Sequence, residues 1–314
     1  MICPHPDRDT QAFLEEIANA EGPAFDDLTL QDKRDGLEAM LLEAQPYAPE
    51  VEKQEIFVPV RDGRQISGYA YRPHGAQQLP VLFLIQGGGW AFAQAKPYGP
   101  LAALLAVELN RLVVCVDFRL SPEHPFPAGL EDCIDTYGWL KAHVDGLGGD
   151  RKRIALFGDS SGGNLAAAVA LSYGEANQSQ MEALVLVYPM IDVSTGSTDR
   201  YASRQAFGAG DHFLTQASID WAARHYVPVA EQRAHPLVSL TENKALAQLP
   251  KTTIVTAGLD PLRDEAGYFA GLLEEAGVDV SYRVYDSTVH GFISFFHRLK
   301  LARRAVAFVK KQLA

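Results

Sequence analysis

The sequence has few cysteines and no surplus of positive charge, and both features exclude classes of protein. Three cysteines, Cys3, Cys115 and Cys133, occur in 314 residues, a set too sparse and odd for a disulfide framework or a cysteine-rich metal site. We expect reduced thiols, with Cys115 in a strand and Cys133 on a helix. The formal net charge is -11, whereas nucleic acids and anionic membranes are bound by basic patches, so neither is an expected partner.

Long apolar runs are absent as well. No run approaches the roughly 18 residues that a membrane span needs. Residues 1–22 lack the positively charged segment and apolar core that are typical of a signal peptide. We therefore expect no membrane association and a cytoplasmic location. The sequence also has no internal repeat or low-complexity tract.

What the sequence does contain is a large apolar fraction, 47%, in alternating strand and helix patterns. We predict a hairpin over 55–71 around the turn dipeptide Asp62-Gly63. The other predicted strands are 81–86, 111–117, 154–157, 183–188, 252–257 and 279–285, and the helices are 98–109, 128–145, 161–173, 265–276 and 298–313. Repeated β-α units predict an α/β fold with a mainly parallel central sheet and helices on both faces.

A serine lies at one of these strand-to-helix junctions. Residues 158–162 read Gly-Asp-Ser-Ser-Gly between the apolar strand 154–157 and an alanine-rich helix. The G-x-S-x-G pattern in this context is typical of a nucleophile elbow, which would present Ser160 Oγ above the sheet. The pattern alone is weak, because many serines near a helix start only cap the helix.

A serine nucleophile needs a base and an acid. In hydrolases with a nucleophile elbow, the acid and then the histidine follow the serine along the chain. Asp260 comes directly after the predicted strand 252–257, and His290 lies in the loop after 279–285. Both positions are at carboxyl ends of strands, where open α/β sheets carry their sites. Asp192, after strand 183–188, is the main alternative acid, followed by Asp264 and Asp286.

A glycine triplet provides a further element of the site. Gly87, Gly88 and Gly89 directly follow the predicted strand 81–86. Their main-chain N–H groups could stabilise negative charge on a carbonyl oxygen. We take Gly87 and Gly88 as the candidate donors, with the N–H of Ser161, the residue after the nucleophile. No Gly-Lys-Ser/Thr follows the triplet, so a phosphate-binding loop is not indicated.

Five sequence blocks in this order resemble those of the hormone-sensitive-lipase family of α/β-hydrolases, in its bacterial esterase branch. They are Gln-Gly-Gly-Gly-Trp at 86–90, Asp-Phe-Arg-Leu-Ser-Pro-Glu-His-Pro-Phe-Pro-Ala at 117–128, Gly-Asp-Ser-Ser-Gly-Gly at 158–163, Asp-Pro-Leu-Arg-Asp-Glu at 260–265 and His-Gly-Phe at 290–292. The resemblance implies the α/β-hydrolase fold, Ser160 as nucleophile, His290 as base, Asp260 as the orienting acid, and Gly87, Gly88 and Ser161 as oxyanion donors.

The main departure from the family pattern is Gln86, which replaces a histidine before the glycine triplet. In the family this side chain holds the oxyanion loop by hydrogen bonding and does not react. Glutamine can also donate and accept, so the loop can be held at a comparable reach. The exchange therefore bears on loop geometry and rate more than on the type of reaction.

Two segments do not follow the β-α alternation, residues 1–48 and 192–248. Both lie where the family builds its helical cap, so we expect a cap in two parts on a catalytic domain of 49–191 and 249–314. The family resemblance also suggests short to medium acyl chains and a homodimer.

The sequence therefore predicts a hydrolase that acts on small-molecule carboxylic esters through an acyl-enzyme, without cofactor or metal. Two alternatives are a catalytically silent small-molecule-binding homologue, and an amidase or peptidase with the same triad.

Several other residues invite a functional interpretation that we do not favour. Glu123 and His124 lie beside Arg119, and we expect an ion pair that shapes this loop. Asp264 and Glu265 are expected to cap the helix 265–276. Residues 208–212 are expected to form a turn of the cap. Three aromatic residues fit either an acyl pocket or the core, namely Trp90, Phe92 and Phe207.

Overall fold

A computed structural model of the protein describes residues 5–20, 23, 25–174 and 181–314. Cys3, predicted to be a reduced thiol, lies outside the described residues. The strands are β1 (Glu52–Pro59), β2 (Gln65–Arg72), β3 (Leu79–Ile85), β4 (Leu112–Val116), β5 (Gly149–Asp159), β6 (Met181–Val187), β7 (Thr252–Leu259) and β8 (Val280–Val289). The helices are α1 (Arg8–Asn19), α2 (Leu30–Leu42), α3 (Gly99–Leu109), α4 (Ala128–His143), α5 (Ser161–Gly174), α6 (Ser197–Arg200), α7 (Ala202–Phe207), α8 (Gln216–Tyr226), α9 (Arg263–Glu275) and α10 (Leu301–Gln312).

The eight strands form one sheet in the order β1-β2-β4-β3-β5-β6-β7-β8. β1 pairs antiparallel with β2, and β2 antiparallel with β4, while the remaining pairs are parallel. The hairpin predicted around Asp62-Gly63 is the β1–β2 connection. The prediction of an α/β fold with a mainly parallel central sheet is confirmed.

Both faces of the sheet are covered, which explains why its central strands read as continuous apolar runs. In β3, Val81 and Phe83 belong to one buried cluster, and Leu82 and Leu84 belong to the cluster on the other face. Every residue of β7 is buried. Cys115 and Cys133 are buried free thiols in β4 and α4, as the sequence predicts.

The strand before His290 is longer than predicted. We expected it to end at residue 285, but β8 continues to Val289 because, after an irregularity in the ladder, Leu259 of β7 pairs with Val289. Asp286 is therefore a strand residue and not a loop residue. The extended pairing fixes the position of the next residue, His290, relative to the end of β7.

The segments outside the β-α alternation pack over the carboxyl edge of the sheet. Phe13 of α1 is buried, and its ring centroid lies 5.7 Å from that of Phe213 and 5.0 Å from that of Phe295, which follows His290. α1 is therefore in contact with the loop that carries His290. Arg34 of α2 donates to both carboxylate oxygens of Glu123, at 2.8 and 2.7 Å.

The partners of Arg119 and Glu123 differ from our expectation. Arg119 pairs with the buried Asp132 of α4, with its terminal nitrogen 2.7 Å from Oδ1. Glu123 pairs with Arg34, which lies far away in sequence and so could not be identified from the local pattern. The ion pair that we expected within this loop is therefore replaced by two ion pairs. Arg119 joins the loop to α4, and Glu123 joins it to α2.

Asp264 and Glu265, which we expected to cap the helix 265–276, bind residues of another helix. Both lie in the first turn of α9, but Asp264 accepts the N–H of Ser203 at 2.8 Å, and the buried Glu265 pairs with Arg204 at 2.5 Å. Burial raises the pKa of Glu265, and the charge of Arg204 opposes this rise. These contacts join α7 to the segment that follows Asp260.

The described part of the chain has neither a membrane-spanning helix nor a cluster of metal ligands. No helix among residues 5–20, 25–174 and 181–314 combines the length and the apolarity needed to cross a bilayer. In the same part of the chain, no cluster of histidine, cysteine and carboxylate side chains could hold a metal ion.

Candidate active site

Ser160 lies at a sharp turn between β5 and α5. Its φ is +55°, a left-handed conformation that non-glycine residues rarely adopt. The flanking glycines permit the close approach of strand and helix, since a Cβ on Gly158 would lie 2.2 Å from the carbonyl oxygen of Gly162. A Cβ on Gly162 would lie 2.0 Å from the carbonyl oxygen of Ile85. This strained turn has the geometry that the G-x-S-x-G pattern predicts.

Three side chains that are distant in sequence form a continuous hydrogen-bonded chain. Nδ1 of His290 lies 2.8 Å from Oδ2 of Asp260, and Nε2 of His290 lies 2.9 Å from Oγ of Ser160. A carboxylate can only accept, so Nδ1 carries the proton and Nε2 is free to accept from the serine hydroxyl. The structure thus brings together the three residues that the sequence singled out.

Burial and further contacts hold Asp260 and His290 in place. Asp260 is fully buried, and its Oδ1 accepts the N–H of Leu262 at 2.9 Å. The His290 ring packs against Tyr188, with centroids 4.6 Å apart. Each carboxylate oxygen of Asp260 therefore has a partner, and the imidazole is held on one face.

Asp192, the main alternative acid, is fully buried and occupied elsewhere. Its carboxylate accepts from the hydroxyl of Ser194 at 2.6 Å, from Arg200 at 2.7 Å and from the hydroxyl of Tyr201 at 3.0 Å. These partners belong to the segment after β6. Asp192 organises this segment and makes no hydrogen bond to His290.

The glycine triplet lies beside Ser160, but its first N–H has another partner than we expected. The N–H of Gly87 donates to Oδ1 of Asp159 at 2.9 Å, so it is not free to face a substrate. Gly88 and Gly89 have φ values of +102° and +59° and line the cavity above Ser160. Within the described part of the chain, no hydrogen bond engages the N–H groups of Gly88, Gly89 or Ser161.

Asp159 is a site residue that the sequence analysis missed. It is 2% exposed, and its second carboxylate oxygen accepts from the hydroxyl of Tyr98 at 3.0 Å. Burial raises the pKa of Asp159 to about 6, although the hydrogen bonds from Gly87 and Tyr98 and the neighbouring His290 oppose the rise. Its position directly before Ser160, at the end of the buried half of β5, was a signal for a role at the site.

Gln86 holds the beginning of the glycine loop. Its Nε2 donates to the carbonyl oxygen of Val116 at 2.9 Å, across from β3 to β4. Among the described residues, no group donates a hydrogen bond to its buried Oε1. Gln86 therefore anchors the loop by a single side-chain hydrogen bond.

A cavity of about 390 Å³ opens above Ser160 and His290. Its apolar walls come from α2, from the segment after β6, from the segment 213–222 and from the loop after β8. The apolar wall residues include Leu37, Met40, Met190, Phe213, Leu214, Ile219 and Phe295. Such a mostly apolar cleft with a few polar groups at one point is typical of a small-molecule site.

The aromatic residues that the sequence left open have different positions. Phe92 lines the cavity and stacks on Trp221 of α8, with centroids 5.0 Å apart. Trp90 is buried against Tyr226 at 4.3 Å, and Phe207 is buried in the core. Residues 208–212 precede the cavity-lining Phe213 and contribute no residue to the wall.

Known proteins are similar to this chain in sequence and in fold. A family model described as "alpha/beta hydrolase fold" matches residues 82–294. The carboxylesterase NlhH of Mycobacterium tuberculosis is 36% identical over 222 residues, covering 69% of this chain and 67% of that protein. An arylesterase of Saccharolobus solfataricus is 29% identical over 291 residues, covering 91% and 92%.

Solved structures are similar over nearly the whole chain. The esterase of the archaeon Pyrobaculum calidifontis superposes with a TM-score of 0.90 at 30% identity, covering 98% of both chains. The fold, the order of the motifs and these relatives agree with one another. The chain belongs to the α/β-hydrolase family, and within it to the hormone-sensitive-lipase type that its five motifs resemble.

Proposed function

We propose that the protein hydrolyses small-molecule carboxylic esters with short- to medium-chain acyl groups, using Ser160, His290 and Asp260 as a catalytic triad. The observation that carries this proposal is the pair of hydrogen bonds, 2.8 and 2.9 Å, that joins the three side chains. The protein is a serine-hydrolase esterase, and the relatives named above are a carboxylesterase, an arylesterase and an esterase. The acyl range and the residue roles are our proposal.

The geometry of the three side chains supports the following reaction. His290 Nε2 takes the Ser160 proton as Oγ attacks the ester carbonyl, and Asp260 holds the imidazole through Nδ1–H and stabilises the imidazolium. The tetrahedral intermediate then expels the alcohol, which receives the proton from His290. Water attacks the resulting acyl-enzyme by the same route and releases the carboxylic acid.

We assign the oxyanion donors to the N–H groups of Gly88, Gly89 and Ser161. Gly87, which the sequence suggested as a donor, is left out because its N–H donates to Asp159. Gly89 is added because it lines the cavity. Donors held in place before the reaction stabilise the developing negative charge without reorganising.

The cavity supports an apolar substrate of limited size. Its volume of about 390 Å³ is within the range of small-molecule sites, and its walls offer few polar partners apart from the reacting groups. Alkyl or aryl acyl groups therefore fit it better than sugars or peptides do.

The cap assignment, residues 1–48 and 192–248 over a catalytic domain of 49–191 and 249–314, is part of this proposal. It is supported by the cavity wall, to which α2 and the segment 213–222 both contribute. Contacts across the wall join the two parts, since Phe25 lies 6.4 Å from Trp221 between ring centroids. A cap built in this way sets the size of the acyl pocket.

We also propose a homodimer through the edge of the sheet at β8. β8 is the last strand of the sheet, and Tyr268 of α9 and Tyr282 of β8 expose 51% and 38% of their surface. Exposed strand edges tend to pair. Light scattering after size-exclusion chromatography tests this: a dimer for the unmutated chain and a monomer for Tyr282→Lys are expected, and an unmutated monomer would contradict it. The cytoplasmic location stays a prediction from the sequence.

Matched substrates test the proposed reaction. The unmutated protein should hydrolyse an aryl butyrate ester and leave the corresponding aryl amide intact, while Ser160→Ala should fold and lose ester turnover. Turnover of the amide at a similar rate would favour an amidase. Binding of the ester without turnover would favour a silent binding protein.

A further inference from the structure

We propose that the side chain of Ser161 is a positioning residue for the oxyanion loop, a role that rests on the proposed esterase reaction and goes beyond its main-chain N–H. Oγ of Ser161 accepts the main-chain N–H of Trp90 at 3.1 Å, and Ser161 is 1% exposed. Trp90 directly follows the glycine triplet. The hydroxyl therefore holds the end of the loop at which the chain leaves Gly89.

Together with Asp159, this contact fixes the loop at both ends. Asp159 accepts the N–H of Gly87 at 2.9 Å at the beginning of the triplet, and Ser161 accepts the N–H of Trp90 at its end. These two residues are the immediate sequence neighbours of Ser160. The elbow that presents the nucleophile thus also sets the distance between the nucleophile and the candidate oxyanion donors.

The backbone of Trp90 needs such support. Its φ is +59°, a left-handed conformation that is unfavourable for a residue with a side chain. Its carbonyl oxygen accepts the N–H of Ser121 at 2.9 Å, and its indole stacks on Tyr226. Among these contacts, only the one with Ser161 comes from the elbow, so it alone couples the position of Trp90 directly to that of Ser160.

Loss of this oxygen would leave the buried N–H of Trp90 without its acceptor, and the loop would move to find another. Gly88 and Gly89 would move with it, since they are joined to Trp90 directly. Stabilisation of the oxyanion depends on donor positions within a fraction of an ångström. The cost should therefore fall on the transition state and leave binding of the ester largely unchanged.

Ser161→Ala isolates the side chain, because alanine keeps the main-chain N–H. Ser172→Ala is the matched control: it removes a hydroxyl from the same helix, where Ser172 Oγ donates to the carbonyl oxygen of Ala168 at 2.8 Å. We would measure kcat and KM for an aryl acetate ester, thermal unfolding, and inhibition by a trifluoromethyl ketone. The ketone forms a tetrahedral adduct with the serine and places its oxyanion against the loop.

We expect kcat of Ser161→Ala to fall roughly tenfold, the effect of one buried hydrogen bond. KM should be unchanged, and affinity for the ketone should fall by a similar factor, while Ser172→Ala should equal the unmutated protein. A Ser161→Ala protein with unchanged kcat, or with a change in KM alone, would overturn the positioning role. So would a loss of kcat with no loss of ketone affinity.

The experiment also covers a Ser161→Ala protein that does not fold and an unmutated protein that does not hydrolyse esters. If Ser161→Ala does not fold, Ser161→Cys decides, because sulfur is a weak acceptor of similar shape: kcat and ketone affinity should fall together, and unchanged values would overturn the role. If the unmutated protein fails to turn over esters, the proposed function is contradicted. Equal turnover by the unmutated protein and Ser161→Ala would contradict only the inference about Ser161.

Discussion

Oδ1 of Asp159 lies 2.9 Å from the main-chain nitrogen of Gly87, so the residue before the candidate nucleophile accepts a hydrogen bond from the first residue of the glycine loop. The carboxylate that accepts this hydrogen bond is only 2% exposed. Burial raises the pKa of Asp159 from 3.8 to about 6. The charged form is thus retained at neutral pH at a cost to folding.

Replacement of Asp159 by asparagine should therefore change how stability depends on pH. Because the folded pKa lies above the unfolded one, the ionised group destabilises the fold, and this cost appears as pH rises from about 4 to above 6. The full shift corresponds to roughly 3 kcal/mol. Denaturant unfolding of both proteins between pH 4 and 7.5 measures the difference.

We expect the stability of Asp159→Asn relative to the unmutated protein to increase over this pH interval, after which the difference should level off. Asparagine keeps an acceptor for the Gly87 N–H, so its loop can remain in place. A difference that stays constant from pH 4 to 7.5 would mean that Asp159 titrates at its ordinary pKa.

The choice between two aspartates can be tested by a matched pair of variants. Asp260→Asn should lower kcat by about 10³- to 10⁴-fold with little change in KM, because it disturbs the tautomer and charge support of His290. Asp192→Asn should affect kcat much less, and should mainly lower stability through lost contacts with Arg200 and Tyr201. Steady-state kinetics of both proteins would refute our choice of acid if the two effects on kcat were reversed.

The sequence was informative wherever the position in the α/β alternation decides the role. Ser160, Asp260 and His290 each follow a strand directly, and carboxyl ends of parallel strands lie along one edge of a sheet. Their spatial proximity could therefore be predicted without knowledge of any distance. The sheet and its helices could be predicted for the same reason.

Features that depend on the direction of a single group could not be predicted. Whether the N–H of Gly87 faces a substrate or a carboxylate depends on dihedral angles that glycine leaves free. The pairing of Arg34 with Glu123 joins residues 89 positions apart, and no local pattern specifies it. The contact of α1 with the loop after His290 is likewise set by packing, so the prediction of a cap over residues 1–48 could not specify it.

Gln86 gives a direct test of how the glycine loop is anchored. Gln86→Ala removes the hydrogen bond to Val116 and should lower kcat about tenfold through poorer alignment of the N–H donors. Gln86→His should keep or raise activity if the side chain serves only as an anchor. Kinetics with one small ester suffice, and full activity of Gln86→Ala would show that the contacts of Asp159 and Ser161 hold the loop without it.

The cap proposal predicts a change in acyl selectivity from a residue of α2. Met40 lines the cavity, whereas its neighbour Ala39 is exposed. Met40→Trp should reduce kcat/KM for an octanoate ester much more than for an acetate ester, because the larger ring fills the pocket. Ala39→Trp should leave the acyl-length profile unchanged. Equal profiles for both variants would mean that α2 does not bound the acyl pocket.

Covalent labelling tests most directly whether Ser160 is the nucleophile. The protein should react with one equivalent of an alkyl fluorophosphonate, lose ester turnover in proportion, and carry the adduct on the peptide that contains Ser160, as seen by mass spectrometry. Ser160→Ala should remain unlabelled and inactive. Inactivation with the label on any other residue, or an active Ser160→Ala protein, would show that Ser160 is not the nucleophile.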